Sequence, residues 1–405
     1  MEIKINILTP VWTGDINSRG KSLKSTGIIG SLRWWTEAIL KGIGYSVCDP
    51  TAEIRCPQET NNQKTYCPAC LIFGATGIRR LFRLEVNGGE KVFDGGAIII
   101  KPKGRNRGWY LGSGLRGQID LRIISLDKDF NETLLLLPLS IASNWGEIGA
   151  KTQHGYGVVA LEEEKELVFE DFKNSVRRIL QEARLRKIGI KERKSINDVL
   201  PNLKEMFFAK VQFEAQDNNW WKEVDGIKER ERKGDNNYYK GYINDSRMIS
   251  WINSDSIPIA PAIKNWLRFG NGKALWQSKN DNKYKDIETS LFGTTRGEKS
   301  ASKINISCAY YLNNKLWEFR ISGWIPENNL PNGFDRNNFL KALMASLNGS
   351  GSINIPWSNL LGNKTKDHKL KVWREFNSSR DTVSPNQEDM EKYLDSLIKG
   401  EERNK

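Results

Sequence analysis

One order of strands and helices occurs twice along this chain, and that repeat limits its possible folds more than any other feature. Ile3, Ile5 and Ile7 alternate with Lys4 and Asn6, and far downstream Phe207, Ala209, Val211 and Phe213 alternate with Phe208, Lys210 and Gln212. A period of two is the pattern of a strand with one packed face. After the first strand, Ile28, Leu32, Trp35 and Ile39 follow at spacings of four, three and four, one apolar stripe on a helix. Ile259, Ile263 and Trp266 repeat the first three positions of that stripe and again end in Trp.

The parallel continues. Leu71–Gly77 in one half and Leu291–Gly297 in the other both carry Leu, Phe and Gly and lead into alternating strands, Phe82/Leu84/Val86 and Ile304/Ile306/Cys308/Tyr310. A further strand (Ile119/Leu121/Ile123; Trp317/Phe319/Ile321) and a second helix (Leu137–Trp145; Asn338–Leu347) come next in each half. Glycine loops at Gly149–Gly157 and Gly349–Gly351 then lead to last strands at Val158–Leu161 and Leu370–Phe376. This is βαββαβ twice, which predicts an α+β protein of two ferredoxin-like, RRM-like domains in tandem with long insertions. Such a unit has one helix-covered sheet face and one open face. The boundaries fall at 1–162 and 205–376, with a charged, partly helical linker over 163–204. A polar, mobile insertion is expected near 217–246, and a polar, surface-exposed tail over 377–405.

Charge brings in the partner. The chain of 405 residues carries a formal +13 and 14 tryptophans. A surplus of that size favours a polyanion, because each phosphate neutralised releases condensed counterions, and flat aromatic faces accept unstacked bases. Three segments concentrate these residues. The loop Gly149–Gly157 holds three glycines with Lys151, His154 and Tyr156, a composition suited to phosphate contact with Tyr156 as a stacking plane. Across 101–116, Lys101, Lys103, Arg105, Arg107 and Arg116 stand with Trp109 and Tyr110 and no acidic residue, which predicts a basic hairpin tip or arm. Around the first helix lie Lys21, Lys24, Arg33, Trp34 and Lys41, followed by Arg79, Arg80 and Arg83. Arg33 has a competing partner in Glu37 at i+4, and Trp34 competes between a rim position and the core.

Cys48, Cys56, Cys67 and Cys70 form C-x7-C-x10-C-x2-C. The closing pair is a chelating knuckle, so structural zinc is expected there, while Cys308 alternates with apolar residues as a small core residue. Gly14–Ser22 resembles a P-loop but has five residues between its glycines instead of four, which breaks the ring of N–H groups; no nucleotide cofactor is expected. Candidates for catalysis reduce to Asp15 and His154, each without visible partners, so the chain is expected not to be an enzyme; the rival readings are a metal-dependent or His-assisted endoribonuclease and a purely scaffolding subunit. No run is long enough to span a membrane, and the N-terminus is a strand rather than a signal peptide, so the chain is expected in the cytoplasm.

Thr9-Pro-Val-Trp12-Thr-Gly14, Gly27-Ile-Ile-Gly30-Ser-Leu-Arg33-Trp34-Trp35, Leu71–Gly77 and Lys151–Gly157 together resemble the RAMP superfamily of CRISPR systems. More narrowly they look like subunit one of the type III-B Cmr effector complex, which has two RAMP domains. The resemblance implies a non-catalytic RNA-binding role in antiviral defence, holding the 3′ side of the guide RNA or the single-stranded target RNA paired with it. The implied partners are those RNAs and the other RAMP subunits of the complex. The likeness is dense over 1–162; beyond it rests on repeat order. The second glycine loop, Asn348–Gly351, lacks basic and aromatic residues, so RNA contact is expected mainly in the first half.

Overall fold

The structure, a computed structural model, describes residues 1–14, 20, 22–53, 55–60, 63–163, 166–191, 200–228, 241–277, 284–295, 297 and 299–400. The expectations for Asp15 and Lys21 lie outside the described residues. The framework of the first half is β1 (Glu2–Val11), α1 (Ser25–Gly42), β2 (Phe82–Lys91), β3 (Leu115–Ser125), α2 (Thr133–Trp145) and β4 (Val159–Leu161). Its four strands lie in the order β2-β3-β1-β4, every pair antiparallel, with Ile3 opposite Leu121 and Ile5 opposite Ile119. Ile3 and Ile5 point into a core with Leu32, Trp35 and Ile39 of α1 and with Leu134–Leu137 of α2. The other face is wet and carries ion pairs of both signs, among them Lys4–Glu162 and Arg83–Glu85.

The second half supplies β5 (Met206–Ala215), α3 (Ala260–Phe269), β6 (Ala309–Asn313), β7 (Leu316–Trp324), α4 (Arg336–Leu347) and β8 (Thr365–Glu375). Its strands follow β6-β7-β5-β8, again antiparallel, with Ser256–Ile257 beside β6 and Ile304–Ile306 beside β7. Phe207, Ala209, Val211 and Phe213 of β5 enter a second core with Ile263 and Trp266 of α3.

Here the open sheet face expected of the second unit does not exist. Phe208, on the opposite side of β5 from Phe207, belongs to the first core and packs near Trp35 and Trp145, with ring centroids 6.1 and 6.3 Å away. Buried Arg320 of β7 donates to the Ser143 and Gly146 carbonyls at 2.7 and 3.1 Å, so it satisfies the C-terminal end of α2, whose last carbonyls lack intrahelical partners. The second sheet is therefore covered on one side by its own helices and on the other by the first half.

The tail expected at the surface is packed, and so are the helix of the partly helical linker and part of the polar insertion. Within the linker, Phe169–Leu185 is a helix whose Phe169, Phe172, Val176 and Ile179 join the first core. In the tail, Met390–Ile398 is a helix with Tyr393, Leu394 and Leu397 fully buried in that same core, and Trp145 Nε1 donates to the Leu397 carbonyl at 2.8 Å. Tail and linker share one reason: each hides an amphipathic helix in a polar composition. Of the insertion near 217–246, Trp220, Trp221, Val224 and Ile227 sit in the second core, and 229–240 lie outside the described residues. Among the described residues no helix is long and apolar enough to cross a membrane.

Candidate nucleic-acid interface

A cleft of about 1390 Å³ opens between the two halves. Gly27, Gly30, Ser31 and Trp34 from the start of α1 form one wall together with the loop Gly149–His154 and with Arg105, Arg107 and Trp109. The opposite wall comes from the second half: Lys264, Arg268 and Phe269 of α3, then Lys285 and Glu288, Gly293–Thr295, Lys299–Ser302, Lys303 and Trp324. Among the described lining residues eight are Lys or Arg and two are Glu, so the cleft is basic with aromatic faces at intervals. That pairing of fixed cations with flat rings is what a flexible polyanion with stackable bases needs.

The loop at 149–157 is shaped by protein contacts before any ligand. A side chain at Gly155 would stand 2.6 Å from the Cys308 backbone nitrogen, which donates to the Gly155 carbonyl at 2.9 Å. Gly157, with φ of 97°, lies so close to the Ile148 carbonyl that a Cβ would meet it at 2.2 Å. These glycines seat the loop between the halves rather than on a phosphate. What remains for an anion is the turn Lys151–His154. Lys151 is left-handed (φ 60°), and no acceptor among the described residues takes the N–H groups of Lys151, Thr152 and Gln153. Successive free N–H groups in such a turn make an anion-binding concavity. The Lys151 ammonium lies 4.2 Å over the Trp12 ring, and burial lowers its pKa.

Behind this turn the floor of the cleft holds ionisable groups shielded from water. Lys264 donates to Ser302 Oγ at 3.0 Å and to the Ile304 and Gln153 carbonyls at 3.1 and 3.3 Å, and burial presses its pKa down to about 7. Glu147 accepts from Ser322 Oγ at 3.1 Å, and burial pushes its carboxyl up to about 7 despite nearby Arg320. Burial and the charges of Lys264 and Lys151 lower His154 to about 4, so the ring is neutral above that pH. Glu288 pairs with both Arg268 and Lys285, each at 2.9 Å, so one carboxylate meets two cations, and this group adds to the positive field of Arg105, Arg107, Lys151, Lys299 and Lys303 on the walls.

Residues 4–160 match the family model of the RAMP superfamily. That match covers the framework of the first half, from β1 to β4. No curated protein matches the chain. Solved structures with some likeness to the chain include the following three. One is the crystal structure of Cmr1 from Pyrococcus furiosus in apo form, at 15% identity, covering 82% of this chain and 89% of that one with a TM-score of 0.33. Another is a cryo-EM structure of the type III-B Cmr-beta bound to cognate target RNA and AMPPnP, at 12% identity, 81% and 96% coverage and a TM-score of 0.35. A further Cmr-beta structure, bound to cognate target RNA, matches at 12% identity, 80% and 94% coverage and 0.33.

Of the RNA-contact candidates, the first half brings Trp34, Arg105, Arg107, Trp109, Lys151 and His154 together at the cleft. Tyr156 is corrected: it is fully buried and its hydroxyl donates to the Gly112 carbonyl, so it offers no stacking plane. Arg33 turns away from the cleft, bonding Glu37 at 2.7 Å, the Gly74 carbonyl at 3.3 Å and Cys70 Sγ at 3.2 Å. Lys24, Arg79, Arg80, Lys101 and Lys103 lie outside the cleft lining; Arg79 and flanking Leu71 and Leu81 border a separate small pocket. Nor is the hairpin a free arm. Ile98, Ile100 and Leu111 are buried in the second core, Arg105 stacks 3.7 Å over Phe269, and the Lys103 amide donates to Asp225 at 3.0 Å. The first half thus inserts its hairpin into the second core. The second wall of Lys264, Arg268, Lys285, Lys299 and Lys303 was missed; its only sequence signal is the Lys264/Arg268 pair at i, i+4. In the excursion after α1, the sulfurs of Cys48, Cys56, Cys67 and Cys70 converge.

Proposed function

We propose that this chain is a non-catalytic RNA-binding subunit of a type III-B CRISPR ribonucleoprotein of the Cmr kind, acting in the cytoplasm, with each half a ferredoxin-like RAMP domain. The carrying observation is the interdomain cleft, lined by eight basic residues with Trp34, Trp109, Trp324 and Phe269 among them. The RAMP match over 4–160 and the Gly27–Trp35 motif support the assignment to such a complex, and the strand orders support the domain type. On this reading single-stranded guide RNA, or the target strand paired to it, runs between the halves, with phosphates at Lys151–Gln153 and along Arg107 and Lys299 and with bases against the rings.

The test is salt-dependent binding of labelled single-stranded RNA by the purified chain. Replacing Lys151, Arg107 and Lys299 together by Gln should weaken binding at least roughly tenfold and reduce the slope of log K on log salt by about 0.7 for each phosphate no longer neutralised. Unchanged affinity and slope would remove the cleft as the site. The same incubations, with and without Mg²⁺, address the nuclease reading: cleavage that His154→Ala or Asp15→Ala abolishes would replace the non-catalytic assignment.

A further inference from the structure

The sulfurs of Cys48, Cys56, Cys67 and Cys70 all lie within 4.8 Å of one another, each residue is buried, and no disulfide joins them. Cys48 Sγ stands 3.4 Å from Cys70 Sγ and 3.7 Å from Cys67 Sγ. A disulfide needs about 2.05 Å. Sulfurs at the corners of a tetrahedron with metal–sulfur bonds of about 2.3 Å are about 3.8 Å apart. The cluster is therefore spaced as ligands around a shared soft cation, and its convergence draws together three points of the excursion between α1 and β2.

We propose that these four residues bind one Zn²⁺ in a closed tetrahedral thiolate site, and that Arg33 is the site's charge partner. Binding forms four Zn–S bonds and releases the four thiol protons to solvent, with no change of oxidation state. Four thiolates around one Zn²⁺ carry a net charge of −2, which is costly in a buried place unless balanced. Arg33 offsets part of that charge: its Nη2 stands 3.2 Å from Cys70 Sγ, and its Nε is held in place by Glu37 at 2.7 Å. The Cys67 amide, 3.3 Å from Cys56 Sγ, adds a second N–H donor to sulfur. With every position filled by protein, the ion has no open site for water or substrate, so its role is to fix the excursion against α1. The same contacts account for an arginine of the Gly27–Trp35 motif pointing away from the cleft.

Metal analysis of the full-length chain, purified without chelator, should find about one zinc per chain. Co²⁺ in its place should give the near-ultraviolet sulfur-to-metal charge-transfer band and the intense visible bands of a tetrahedral thiolate site. Far less than one zinc, with four freely titrating thiols and no such Co²⁺ bands, overturns the site. Cys→Ser changes can prevent folding, so the partner is tested with Arg33→Gln, which should lose zinc to a chromogenic chelator about tenfold faster or more, with Arg33→Lys recovering part of the loss. Release at the wild-type rate from Arg33→Gln overturns the role of Arg33 even where zinc is bound.

Discussion

The Glu147 carboxyl lies in the seam between the halves, against Ser322, while its backbone carbonyl accepts from Trp35 Nε1 at 3.1 Å. Its folded pKa of about 7 exceeds the ordinary 4.5, so between those values the folded chain holds a proton that the unfolded chain has lost. Its contribution to stability is therefore fully present below about pH 4.5 and falls as pH rises towards 7. Glu147→Gln keeps the bond to Ser322 without the ionisation. Denaturant titration at pH 5 and pH 8 should show the variant gaining on the wild type at the higher pH, by up to about 3 kcal/mol. An equal difference at both pH values would refute this. His154, lowered to about 4, works in the opposite sense: its share of stability rises between pH 4 and 6.5, so the comparison is made variant against wild type rather than on the wild type alone. At this scale the Glu37 pair was legible as a competitor for Arg33 because both lie on one helix, and it prevailed over the expected RNA contact. Sequence reading failed for Tyr156, whose burial comes from Gly112 and Trp251 approaching from other parts of the chain.

Framework elements were legible because their signals are local. The alternation in β1 and β5 and the stripes in α1 and α3 each fit within a dozen residues. The amphipathic helices Phe169–Leu185 and Met390–Ile398 were underread because charged residues dominate their composition, although Phe169, Phe172, Val176 and Ile179 keep the helical spacing. The last helix also binds through polar ends: Asp395 accepts from the Phe169 amide at 3.0 Å, and Arg374, paired with Asp381 at 2.9 Å inside the protein, reaches Ser396. Leu394→Ala and Leu397→Ala should each cost about 2–5 kcal/mol, since each leaves a cavity in the first core. Urea unfolding at equilibrium measures it. A cost of only a few tenths would mean that the helix is not docked in solution.

Over the whole molecule the halves do not divide cleanly. The first core takes Phe208, Val372 and the 390–398 helix from the second half of the chain, and the second core takes the 98–111 hairpin from the first. Thermal and denaturant unfolding followed by tryptophan fluorescence and by circular dichroism should therefore give one coincident transition, and two separated transitions would contradict the exchange of segments. The cleft illustrates why its second wall could not be read from the sequence. Lys264, Lys285, Lys299 and Lys303 are ordinary lysines singly and converge only because the seam at Glu147, Arg320 and Phe208 sets the angle between the halves. The exchange of segments has a further consequence during synthesis. Residues 390–398 are made after roughly 230 residues that follow position 162. At ordinary elongation rates that is about 10–50 s in which the nascent first domain shows an unfinished apolar face to the ribosome exit and its chaperones. The first domain is thus completed by a helix translated long after the rest of its framework.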